Sequence, residues 1–119
     1  MKIKYKNKEV EQICTDIKKA KKLFDDQITS KKLMDKINYI QSANSFNDIR
    51  QYRPFHCHNL SKDREYYWAL DINGRKSSYR LIVAPLDEND NIITTSSTFL
   101  SDCKNIKIIL IEEVSNHYE

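Results

Sequence analysis

The stretch from Tyr66 to Ala84, YYWALDINGRKSSYRLIVA, sets the tightest limit on what this chain can fold into. Tyr66, Trp68, Leu70 and Ile72 alternate with Tyr67, Ala69 and Asp71, the period of two expected for a strand with one buried face. Asn73-Gly74 follows, and Gly74 is the only glycine in the chain. Asn-Gly suits a two-residue type I′ turn, because both central positions need positive φ. That turn predicts a register in which Ile72 faces Arg75, Asp71 faces Lys76, Trp68 faces Tyr79 and Tyr67 faces Arg80. Trp68–Tyr79 and Tyr66–Leu81 then pair on the core face, and Asp71–Lys76 on the other. Arg80 falls on this second face among apolar neighbours. It is either a satisfied sheet residue or a fixed cation at a site.

Around this hairpin the chain reads as an α+β domain. Met1 to Lys8 alternates Ile3 and Tyr5 with lysines, as in a guarded edge strand, and Asn7 can cap a following helix. Val10, Ile13, Cys14, Ile17, Ala20 and Phe24 form a helical stripe that Asp25-Asp26 interrupts. Thr29 or Ser30 can cap a second helix with Leu33, Met34, Ile37 and Ile40 on its apolar face. Lys18, Lys19, Lys21, Lys22, Lys31, Lys32 and Lys36 lie on the outside of this helical hairpin. They read as a solvated face or as a landing pad for nucleic-acid phosphates. Ser45 to Asp48 has the layout of a capped turn. Pro85 is expected to stop the second hairpin strand. Residues 86–105 form a polar insertion with one short strand at Ile92–Thr95. Ile106 to Val114 is a mostly apolar last strand, expected to be central and covered on both faces. The order β-α-α-β-β-β predicts one domain over 1–119, with an N-terminal strand and a helical hairpin packed on a mostly antiparallel twisted sheet.

The bulk numbers exclude little but rank the chemistry. A net charge of +3 permits a polyanionic partner without requiring one. Cys14, Cys57 and Cys103 are odd in number and lack CxxC spacing, which points to the reducing cytoplasm. No apolar run reaches membrane-spanning length and the polar start MKIKYKNKEV has no signal-peptide pattern. His56, Cys57 and His58 lack paired zinc spacing, and neither a glycine-rich phosphate loop nor a nucleophile elbow occurs. What remains is His58, Lys62, Arg64, Arg80, His117 and Tyr118, a set able to converge at one end of the sheet. Metal-independent RNA cleavage needs such a set. A base takes the 2′-hydroxyl proton, an acid protonates the departing 5′-oxygen, and cations offset the phosphorane-like charge. The alternative is that His58 is a loop histidine and His117 a frayed-end residue.

His58-Asn-Leu60-Ser-Lys-Asp63-Arg64-Glu-Tyr-Tyr67-Trp68 resembles the H-P-L-K-G-D-R-x-G-Y-W segment of HigB-like toxins, a branch of the RelE/ParE superfamily of type II toxin–antitoxin systems. Tyr79-Arg80-Leu81 is similar to that family's W/Y-R-I, and the ending through Asn116, His117 and Tyr118 to its terminal D-Y-H. The resemblance implies a RelE-like fold and a ribosome-dependent endoribonuclease without cofactor, silenced by a HigA-like helix-turn-helix antitoxin. Operator DNA would be bound only through that antitoxin. By position, His58, Arg80, His117 and Tyr118 would be catalytic. Lys62, Arg64, Asn116, Lys18 and Lys22 would meet RNA. Three departures stand out: Asn116 replaces an aspartate, His and Tyr are exchanged in order, and Ser61 replaces a basic residue. A gyrase-inhibiting ParE-like toxin, an inactive antitoxin-binding scaffold and a free RNA-binding module are the competing readings.

Overall fold

Five strands form one open sheet in the computed structural model, which describes residues 1–24, 26–60, 66–94 and 98–116. They are β1 (Lys2–Tyr5), β2 (His58–Asn59), β3 (Trp68–Asp71), β4 (Arg80–Leu86) and β5 (Ile108–Ser115), in the spatial order β1-β5-β4-β3-β2. β1 runs parallel to β5, and every other neighbouring pair is antiparallel. The architecture is α+β with a mostly antiparallel sheet. No helix among the described residues is long and apolar enough to cross a membrane.

The expected first helix is two helices, α1 (Lys8–Thr15) and α2 (Ile17–Phe24). Asp16 separates them in extended backbone, and its Oδ1 accepts from the Lys18 N–H at 2.9 Å. A short acidic side chain that bonds local backbone competes with helix continuation, and here it wins. Asn7 caps α1 as expected, accepting from the Val10 N–H at 2.9 Å. For α3 (Gln27–Ser42) the cap is Asp26 in place of Thr29 or Ser30, with Oδ1 accepting from Ile28 and Thr29 N–H. A carboxylate is the stronger acceptor and also suits the positive helix start. Thr29 and Ser30 lie buried inside the first turn. α4 (Phe46–Gln51) follows Ser45, whose side chain makes no cap bond.

The helices cover the sheet face that carries Trp68, Leu70, Leu81, Val83, Ile109 and Ile111. Val10, Cys14, Leu33, Ile37, Ile40, Phe46 and Ile49 meet them in one core. β5 is central, but Ile109 and Ile111 are buried while Ile108, Leu110, Glu112 and Glu113 are half-buried. Only its helix-side face is sealed, so the expectation of cover on both faces fails. Tyr66 precedes β3 and is exposed, outside the pairing predicted for it. Pro85 does not end β4. Its carbonyl accepts from the Ile93 N–H, and N and O of a strand residue share a side, so the missing donor faces the insertion and no β5 bond is lost.

The insertion is less of an excursion than its polarity suggests. The expected strand at Ile92 is a single bridge to Leu86, and Thr95 lies outside the described residues. α5 (Phe99–Asp102) places Phe99 against Trp68 in a stacked contact at 5.5 Å, with Phe46 edge-on to both rings. The insertion therefore closes one end of the core. Phe99→Ala is expected to lower unfolding free energy by about 3–5 kcal/mol. A urea titration followed through Trp68, the only tryptophan, measures it.

Candidate functional site

The described parts of the three stretches singled out from sequence are far apart along the chain and close in the sheet. His58, Ala69, Ile82 and Glu113 form one cross-strand row from β2 to β5, and Asp71, Arg80 and Ser115 form the next. Cross-strand partners share a face and residues two apart repeat it. His58 and Arg80 thus lie on the face opposite Trp68 and Leu70, roughly 12 Å apart by strand spacing and rise.

His58 is held by the turn before it. Arg53–Phe55 makes one 3-10 turn, closed by a bond from the His56 N–H to the Arg53 carbonyl at 3.0 Å. His56 itself is left-handed, at φ 43° and ψ 50°. A non-glycine residue there costs roughly 1–2 kcal/mol. The His56 carbonyl lies 3.1 Å from Nδ1 of His58, whose Nε2 is screened from solvent. Between the two histidines Cys57 packs toward the core, and burial pushes its thiol up to about 12. The buried Cys14 thiol is likewise pushed up to about 12. Thiolate nucleophilic chemistry is therefore disfavoured at neutral pH.

Arg80 resolves in favour of the satisfied sheet residue. It is 1% exposed, and its Nε lies 3.0 Å from Oδ1 of Asp71, itself 1% exposed. The two are in ionic contact without the alignment of a linear hydrogen bond. The guanidinium nitrogens donate to the carbonyls of Arg75 at 2.9 Å, Tyr79 at 2.8 Å and Ser77. Those donors hold a loop, and they are not presented to a phosphate.

The same contacts overturn the predicted hairpin register. Asp71 pairs with Arg80, Leu70 with Leu81, Ala69 with Ile82 and Trp68 with Val83, so the connection runs from Ile72 to Tyr79. Gly74 does adopt positive φ, at 79°, inside this longer loop. A two-residue turn would set Asp71 against an exposed lysine and leave Arg80 without its carboxylate. Wrapping the loop around the guanidinium satisfies both charges. Tyr79 packs edge-on against Phe24 at 4.7 Å, leaving Trp68 to Phe99.

Farther along the same face, β5 bulges between its partners Ile82 and Val83, and Glu112 is the extra residue. Glu112 accepts from Lys6 Nζ at 2.8 Å, and this hydrogen bond raises the lysine pKa. Lys4, Lys6, Tyr67, Leu110 and Glu112 line a cleft of about 330 Å³ there. A second cleft, of about 340 Å³, lies between the insertion and the start of β5, away from His58 and Arg80. Among the described residues no group of three His, Cys, Asp or Glu side chains is arranged to hold a metal ion.

Of the remaining residues singled out from sequence, Lys62, Arg64, His117 and Tyr118 lie outside the described residues. Asn116 is exposed just after β5, and Lys18 and Lys22 are exposed on α2. Asp71 pairs with Arg80 instead of the expected Lys76. Its signal was an acid inside an otherwise apolar strand. No protein-family model matches the chain, and a comparison with curated proteins finds no match.

Two measurements test this description. Arg80→Ala leaves Asp71 buried and uncompensated, so it is expected to cost about 3–5 kcal/mol of stability, read as a lowered urea midpoint. Between pH 9 and 12 unfolded thiols ionise while native Cys14 and Cys57 keep their protons. The native state then binds more protons, and unfolding free energy falls as pH rises. Cys57→Ala should flatten that fall.

Proposed function

We propose that this chain is the toxin of a type II toxin–antitoxin pair, a HigB-like ribonuclease of RelE-like fold that cuts translated mRNA on the ribosome. One observation carries the reading. The described residues His58 in β2, Arg80 at the start of β4 and Ser115 at the end of β5, one from each resemblance stretch, share one sheet face. In this reading the 2′-oxygen attacks the adjacent phosphorus as a base removes its proton. The bond to the 5′-oxygen breaks as an acid protonates it. His58 is the proton-transfer group from the described part of the chain, and His117 and Tyr118 are the candidates for its counterpart. Arg80 acts by positioning: it holds the loop from Ile72 to Tyr79 and so fixes where β4 begins. Phosphate binding passes to Lys62, Arg64 and Asn116.

Exposed Lys18 and Lys22 supply attraction to ribosomal RNA phosphates. The silencing partner is a helix-turn-helix antitoxin, and operator DNA is reached only through it.

Primer extension on a reporter mRNA after brief induction tests the proposal beside His58→Ala. New 5′ ends inside translated codons are expected, absent from the variant and from an untranslated copy of the RNA. Growth arrest with intact mRNA and induced DNA damage would replace this reading with gyrase inhibition.

A further inference from the structure

We infer that His56 is a positioning residue that holds His58 as the Nδ1–H tautomer, leaving Nε2 as the nitrogen that exchanges the catalytic proton. A carbonyl oxygen only accepts hydrogen bonds. With the His56 oxygen 3.1 Å from Nδ1 of His58, that nitrogen must carry the hydrogen. A neutral imidazole has one acceptor nitrogen, which is then Nε2. An exposed histidine in water prefers the opposite tautomer, so the backbone reverses the default.

The device is the left-handed residue. In a continuous extended strand the carbonyl of one residue is not aimed at the ring two positions on. The φ of 43° at His56 turns the chain after the Arg53–Phe55 turn and brings its carbonyl to the ring. Backbone of this kind in a non-glycine residue persists where surrounding structure enforces it, often at functional sites. His56 acts through its backbone geometry, so its imidazole is dispensable.

The role assigned to Nε2 rests on the ribonuclease reading, but the tautomer is measurable without activity. Nitrogen-15 NMR of the ring nitrogens at mildly alkaline pH, with His58→Gln to assign the signals, reads it directly. Wild type and His56→Gly, which tolerates positive φ, should both show a protonated Nδ1 on His58 and equal cleavage of translated reporter mRNA. His56→Val, whose branched side chain resists positive φ, should show mixed tautomers and about tenfold slower cleavage, within the range proton transfer contributes. A protonated Nε2 in the neutral wild-type ring overturns the inference, whether or not the valine variant folds. So does a folded valine variant that keeps the Nδ1–H ring. The Nδ1–H signature in a protein that cuts no mRNA would confirm the positioning and sink the ribonuclease reading alone.

Discussion

The buried pair of Asp71 and Arg80 is the constraint on which the sheet's organisation depends. Two charges taken from water cost several kcal/mol each unless their partners are close and the remaining donors are filled. Here the donors are filled by backbone carbonyls of the loop that joins the two strands. The loop is therefore shaped by the guanidinium it encloses. Register, the start of β4 and the pairing of Arg80 with Ser115 at the far end of β5 follow from one side chain's need for acceptors.

The sheet has two unlike faces because its strands meet different neighbours. On one side Trp68, Phe46 and Phe99 pack ring against ring, and the helices complete a dry core. On the other the rows carry His58, Glu113 and the Asp71–Arg80 pair, and the bulge adds Glu112 beside Lys6. Bulges commonly re-aim a side chain near a functional site. The polar residues of this face, set among the buried Ala69 and Ile82, are thus brought together by strand pairing from separate segments of the chain.

Local physics was legible in the sequence. The stripe through Val10, Cys14, Ala20 and Phe24 is the buried one, Asn7 is a cap, and Leu70 and Leu81 do face the core. Long-range electrostatics was not. Asn73-Gly74 has the signal of a tight turn and Gly74 does take positive φ, yet an eight-residue connection prevails because a buried arginine needs carbonyls. Nothing in a period-two pattern distinguishes an exposed strand arginine from an enclosed one. Asp16 shows the same limit in a helix: the apolar stripe continues through it, while its own side chain ends one helix and starts another. His56 carries no sequence mark at all, since left-handed backbone at a histidine is imposed by the turn that precedes it.

Lys18 and Lys22 are two positions on either side of Ala20, which is buried, so they point away from the core side of α2. His58 lies on the sheet face turned away from the helices. The helical lysines and His58 thus lie on opposed sides of a molecule about 24 Å through its thinnest direction. If the chain is the ribonuclease proposed above, the helical lysines and His58 would meet different parts of one large polyanion, or two different RNAs. Under the proposed reading this favours a ribosome over free RNA as the working surface. Ribosomal RNA can hold the helical side by its phosphates while the message meets the sheet. Screening by salt acts on the first contact, since exposed lysines lose their pull beyond about 8 Å at physiological ionic strength.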